Sequence, residues 1–190
     1  MESLQSTSFT SGLFHHPIVF TVSVIAFIYQ KQCRLPPNAN ISAFFQVDTC
    51  KKMTKTHSCQ TYNDRDGHIN LKENFQFNSN AAKNPQTGDY KAQTCKVVVL
   101  ASYEMYGKRG YKPLARTSVS LNLLLPDLLS SRLPLSRTIE FEALAGFTID
   151  TTWSAKVIEG CVTEPSVHST VCNDVSLTTE DDANVNNTGN

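Results

Sequence analysis

The residues with the most obvious chemical use are cationic. Lys108, Arg109 and Lys112 lie close together in the string "YGKRGYK", with Tyr103, Tyr106 and Tyr111 beside them. Three cations among phenols suit an anionic lipid surface. Each basic side chain near such a surface contributes about 1 kcal/mol, and tyrosine rings are at home at headgroup depth. A second cluster, Lys51, Lys52 and Lys55, carries the same charge without the aromatic flank. The lipid-contact candidates are therefore Lys108, Arg109, Lys112, Tyr106, Tyr111, Lys51, Lys52 and Lys55. Each cluster also has a plainer reading, as a turn kept soluble by its charge.

Other chemistry finds less to work with. His15, His16, His57, His68 and His168 have no metal-ligand spacing, and neither a G-x-S-x-G elbow nor a phosphate loop is present. No catalytic residue, metal site, cofactor or enzymatic activity is expected. Lysine plus arginine equals aspartate plus glutamate, 17 each, so no global field draws the chain to nucleic acid. The six cysteines form no C-x-x-C pair. They read as buried thiols of a cytoplasmic domain or, alternatively, as the framework of a secreted disulfide-bonded β-sandwich. Asn40-Ile41-Ser42 and Asn186-Asn187-Thr188 match a glycosylation triplet that also arises by chance.

These side chains must be positioned by strands. "HPIVFTVSVIAFIYQ", residues 16–30, lacks a basic residue before it and is too short to span a bilayer as a helix. Its β-branched content predicts a long buried strand over 17–29. "ISAFFQVDTC" and "THSCQTY" read as strands with "KKMTK" as a basic turn between them. In "DGHINLKENFQF" the glycine is free to take positive φ, and Phe75 and Phe77, two apart, face the core together. Glu73 shares their parity and is placed to bond loop backbone. "KAQTCKVVVLASYE", "PLARTSVSLNLLL", "TIEFEAL" and "FTIDTTWSAKVIEG" complete about eight strands, with turn signals between them. The pattern is all-β: an antiparallel eight-stranded β-sandwich over residues 15–161, with disordered ends at 1–14 and 162–190.

The order of segments resembles the N-terminal-type C2 domain of EH-domain-binding proteins, the estrogen-induced early-gene family and plant plastid-movement proteins. Gly67, Ile69, Leu71, Lys72, Glu73, Phe75 and Phe77 match one family string. Asn84-Pro85-Gln86-Thr87-Gly88 matches the next, and Gly107, Lys108, Tyr111, Lys112, Leu114, Asn122 and Leu123 a third. Leu71 stands where the family has tryptophan, and Ala115 where it has glycine. The resemblance spans about residues 16–160 and implies a C2-like sandwich with three loops, 31–40, 63–70 and 102–112, gathered at one end. Calcium needs six or more converging oxygens. The first of these loops has no carboxylate, the third has Glu104 alone, and Asp64 and Asp66 in the second read as turn residues bonding nearby N–H groups.

The expected role is a calcium-independent, membrane-peripheral adaptor or scaffold, cytoplasmic, contacting an anionic phospholipid surface, protein partners or both. A pure protein-interaction subunit of a larger assembly is the alternative. "PDLLSSRLPLSR" is a connector with one helical turn after Pro126, and the segment "LNLLLPDLLSSRLPL" carries more leucine than a connector needs. Leu124, Leu125, Leu128 and Leu129 are its docking candidates, unless they close one end of the sandwich.

Overall fold

The computed structural model describes residues 14–36, 39–58, 66–105 and 107–158. The ends read above as disordered, apart from Phe14, lie outside the described residues, as do Asp64 and Tyr106.

Among the described residues there are nine strands, one more than expected: β1 (Phe14–Tyr29), β2 (Asn40–Val47), β3 (Cys50–Met53), β4 (His57–Ser58), β5 (Gly67–Lys83), β6 (Thr94–Met105), β7 (Lys108–Ser120), β8 (Leu135–Glu140) and β9 (Phe147–Val157). All pairings are antiparallel. One sheet has the order β5-β1-β9-β8, the other β3-β2-β6-β7 with β4 also on β2. Their inner faces enclose a core that includes the fully buried Trp153, Phe20, Phe27, Phe45, Phe77 and Phe147. This is the expected β-sandwich.

The long apolar run is strand β1, which starts at Phe14, earlier than expected. It lies between β5 and β9, so both edges are paired. Its pattern is continuous rather than alternating because the strand changes face midway. Ile18, Phe20, Val22 and Val24 point inward, then Phe27 and Tyr29 do. Val24 and Ala26 pair with the consecutive residues Thr151 and Asp150, leaving Ile25 as the extra residue of a β-bulge.

Strand β5 keeps the predicted parity. Ile69, Leu71, Glu73 and Phe75 are half-buried and Phe77 is fully buried, while the residues between them are exposed. Gly67 serves a different purpose from the one expected. It opens the strand, and a Cβ there would sit 1.9 Å from the ring of Tyr29. Close approach, not positive φ, requires the glycine.

Two further expectations are corrected. "KKMTK" is not a turn: the β2–β3 turn is at Asp48 and Thr49, and Lys51 and Lys52 lie on β3. Likewise Leu121–Leu125 do not extend a strand. They begin helix α1 (Leu121–Ser130), with Pro126 inside it. Leu121, Leu124, Leu125 and Leu128 are buried, and that spacing is one helical face. Burying this face outweighs the backbone bond lost at the proline. The string "PLARTSVSLNLLL" reads as a strand through to Leu125, yet Leu123 is 72% exposed.

Candidate functional site

The outer face of the five-stranded sheet collects the cations. Cross-strand register sets its rows. Lys51 lies beside Gln46, which lies beside Lys96. The next row is Met53, Phe44, Val98 and Arg116. Farther along, Asn40 pairs with Ser102 and Ser102 with Tyr111, and Glu104 pairs with Arg109. The opposite parity of β6, Cys95, Val97, Val99 and Ala101, is buried, so these rows face away from the core.

A bulge in β7 makes this arrangement. Val99 pairs with Ala115 but Leu100 with Pro113, so Leu114 has no partner in the ladder. That slip puts Arg116 and Arg109 on one face despite their odd separation. It also divides the basic string. Arg109 and Tyr111 lie on the outer face, whereas Lys108 and Lys112 lie on the reverse of the ribbon with Tyr103 and Gly110. Among the described residues the expected loop 102–112 is in fact this two-stranded ribbon; Tyr106 lies outside them. The ring of Tyr103 lies over Gly110, where a Cβ would be 2.3 Å from it.

Lys55 joins the face through a second bulge. Phe44 pairs with Met53, and the Thr54 N–H donates to the Ala43 carbonyl at 2.9 Å. Ile41, however, pairs with His57. Ser42 therefore stands opposite both Lys55 and Thr56. The bulge frees the Lys55 N–H from the ladder, and the Glu73 carboxylate of β5 accepts it, at 3.0 Å and 3.2 Å to its two oxygens. Glu73 thus bonds loop backbone, as its place in the sequence suggested, and ties the edges of the two sheets together. His57 Nε2 is 3.6 Å from the same carboxylate. Lys55, Arg109, Tyr111, Asn40 and Thr56 line one open groove of about 490 Å³.

The second sequence cluster is therefore split. Lys51 stays on the outer face at the far end of the sheet, Lys52 takes the opposite parity opposite Phe45, and Lys55 stands with Arg109. Lys96 and Arg116 were missed by sequence reading, because only strand pairing brings them to the others. The face carries Lys51, Lys55, Lys96, Arg109 and Arg116 against Glu104. Among the described residues none of these cations has a carboxylate within ion-pair distance.

The leucine docking face is corrected. Leu124, Leu125 and Leu128 are 6%, 0% and 3% exposed and Leu129 is half-buried. They close the sandwich by packing on β9 and β6 at that end. At the other end Asp66 Oδ1 accepts the Lys31 N–H at 2.9 Å, tying the loop after β1 to the start of β5. Asp66 thus bonds backbone, but that of a distant loop rather than of its own turn as expected. Cys33 and Cys95 are buried thiols, and burial pushes Cys95 up to about 12.

The fold has known counterparts. Over 81% of this chain and 99% of the other, the structure of a C2 domain-containing protein from a putative elicitor-responsive gene superposes with a TM-score of 0.52 at 11% identity. The chain has a C2-like fold. Human GIVD cytosolic phospholipase A2, solved in complex with methyl gamma-linolenyl fluorophosphonate, matches with a TM-score of 0.53 and 12% identity over 78% of this chain. The C2-like chain covers 18% of that enzyme's length. A structure of the paired C2 domains of extended synaptotagmin 2 matches with a TM-score of 0.50 at 9% identity, over 82% of this chain and 47% of the other. No protein-family model and no curated protein matches the chain. Among the described residues no helix is long and apolar enough to cross a membrane.

Proposed function

We propose that this C2-like domain, of the N-terminal type, is a non-catalytic, calcium-independent module that rests on anionic lipid through the outer face of its five-stranded sheet. One observation carries the reading: five cations, from three strands and the β3–β4 connection, share that face with a single carboxylate, in a chain that is neutral overall. At about 1 kcal/mol each, five cations supply roughly 5 kcal/mol, or three to four decades in partitioning onto an acidic bilayer. The contribution disappears on a neutral bilayer and weakens with salt. Docked this way, the protein serves as a cytoplasmic, membrane-peripheral adaptor or scaffold. The donor set of the loops supports calcium independence: Asp66 accepts a backbone N–H, and the loop after β1 holds no carboxylate.

Vesicle co-sedimentation tests this reading. Acidic vesicles should retain the protein equally with calcium and with chelator, and neutral vesicles should not. Reversing Lys55, Arg109 and Arg116 to glutamate should abolish retention at an unchanged melting temperature, since surface charge changes cost within about 0.5 kcal/mol. Reversing Lys108 and Lys112, on the back of the ribbon, should weaken it less. Equal recovery on neutral and acidic vesicles refutes the lipid reading. The protein-interaction reading would then stand on the exposed Leu123, in the first turn of α1, and Leu133, just beyond its last turn, 72% and 77% accessible.

A further inference from the structure

The end of the sandwich away from the ribbon holds a cavity of about 400 Å³, lined by Asp48, Asn80, Lys91, Gln93, Thr94 and Lys96 among others. Its lining is mostly polar, unlike the leucine-closed side of the same domain.

Asp48 is the pivot. It sits in the β2–β3 turn with φ of +50°, a conformation glycine or asparagine adopts at less cost. Its side chain accounts for its presence. Oδ2 accepts hydrogen bonds from Ser79 Oγ and from Gln93 Nε2, the latter at 3.2 Å. Ser79 is 8% exposed. Gln46 Nε2 also donates to the Asp48 carbonyl at 2.9 Å. The carboxylate is therefore held by two side chains, one on β5 and one just before β6, and both bonds fall on one oxygen. That leaves Oδ1 as the oxygen to offer a ligand.

Lys91 and Lys96 line the same cavity and are exposed. Among the described residues, neither ammonium has a carboxylate within ion-pair distance, Asp48 included. A fixed carboxylate and two unpaired ammoniums thus share one small cavity without reaching each other. A simple anion would satisfy the lysines and be repelled by Asp48. A simple cation would meet the reverse. A small molecule carrying both charges satisfies all three groups.

We propose that the cavity binds a small phosphate ester that also carries an ammonium group, with its ammonium on Asp48 Oδ1 and its phosphate between Lys91 and Lys96. This chemistry is shared by free phosphoethanolamine or phosphoserine and by the corresponding phospholipid head groups. Apart from Lys96, the site uses none of the cations of the outer face, so it stands or falls separately from that reading.

The test is a titration of the ¹⁵N-labelled protein with O-phosphoethanolamine, with inorganic phosphate as the comparison, following the amides of Asp48, Lys91 and Gln93. Phosphoethanolamine should bind at least tenfold more tightly than inorganic phosphate. Asp48→Asn keeps a residue tolerated in the left-handed turn and an oxygen for Ser79 and Gln93. It should weaken phosphoethanolamine about tenfold and, with the repelling charge gone, bind inorganic phosphate more tightly than wild type. Lys91→Met should weaken both ligands, and Arg109→Glu neither. Melting temperatures identify any variant that fails to fold. Retention on phosphatidylethanolamine vesicles but not phosphatidylcholine vesicles, lost in Asp48→Asn, would assign the lipid as the source. Soluble binding without such retention would assign the free ester. Equal affinity for the two soluble ligands, no binding of phosphoethanolamine, or an Asp48→Asn protein that binds like wild type overturns the proposal.

Discussion

Glu73→Ala should loosen the cationic face at one identifiable point. The Glu73 carboxylate, 16% exposed, accepts the one N–H that the bulge at Lys55 removes from the ladder. Hydrogen bonds to charged groups are worth about 1.5–3 kcal/mol, and an orphaned N–H keeps its full desolvation cost where water cannot reach. Lys55 is at an exposed edge, so water replaces the acceptor in part and the lower end applies, roughly 1.5 kcal/mol. That is about tenfold in the opening equilibrium of the segment. Native-state hydrogen exchange reads it directly: the Lys55 amide should exchange about tenfold faster in Glu73→Ala, with core amides such as Val97 accelerated less. Glu73→Gln keeps a neutral acceptor and should show roughly half that energy, about threefold. A Lys55 amide with unchanged protection in Glu73→Ala, or a Gln variant as fast as the Ala variant, would refute the claim that this carboxylate holds the bulge.

Three other outcomes follow from the same geometry. Phe77→Asp should prevent folding, because Phe77 is fully buried and an unpaired carboxylate there costs several kcal/mol, whereas Lys72→Ala should melt like wild type; thermal unfolding by circular dichroism checks the pair. Gly110→Val should expel the Tyr103 ring from the ribbon and shift Tyr103 fluorescence or NMR signals, while leaving the core spectrum intact. Burial holds the Cys95 thiol protonated up to about 12, against 9.0 for the free group, so the unfolded chain releases this proton first. Its contribution to stability is full below pH 9 and is lost as pH rises toward 12; the stability difference between wild type and Cys95→Val, measured by urea unfolding, should shift against wild type over that window.

Much of the sandwich was legible because inward residues recur at period two. Strand β5 shows this from Ile69 to Phe77, and the β-branched run of β1 announced a strand paired on both sides. Bulges were not legible. Ile25, Leu114 and the Lys55–Thr56 pair have no compositional mark, yet each changes which face the following residues take. Arg116 could not be placed with Arg109 without the slip at Leu114, nor Lys55 without the one opposite Ser42. Helix α1 was missed for a related reason. A leucine-rich stretch fits period two and period 3.6 equally well over a few residues, and Pro126 argued against the helix that burial imposes. Glu73 was placed correctly because an acidic group on the inward parity of a strand has few uses other than backbone capture, whereas the partner of Asp66, a loop 35 residues away, had no local signal.

The ribbon of β6 and β7 has a freedom the rest of the domain lacks. In the ladder, Tyr103 to Met105 and Lys108 to Gly110 pair with each other and, among the described residues, with no third strand. Its length can therefore drift in descent without disturbing the core, while its parity cannot. Each added residue per strand carries the tip about 3.3 Å farther out. Insertions of two per strand preserve the side on which Arg109 and Tyr111 stand. An insertion of one in each strand, outward of the Ser102–Tyr111 pair, would turn Arg109 to the back and bring Lys108 to the front. Lineages that tune reach at this tip should do so in steps of two, and a chain that breaks the rule should have moved its cationic contact elsewhere.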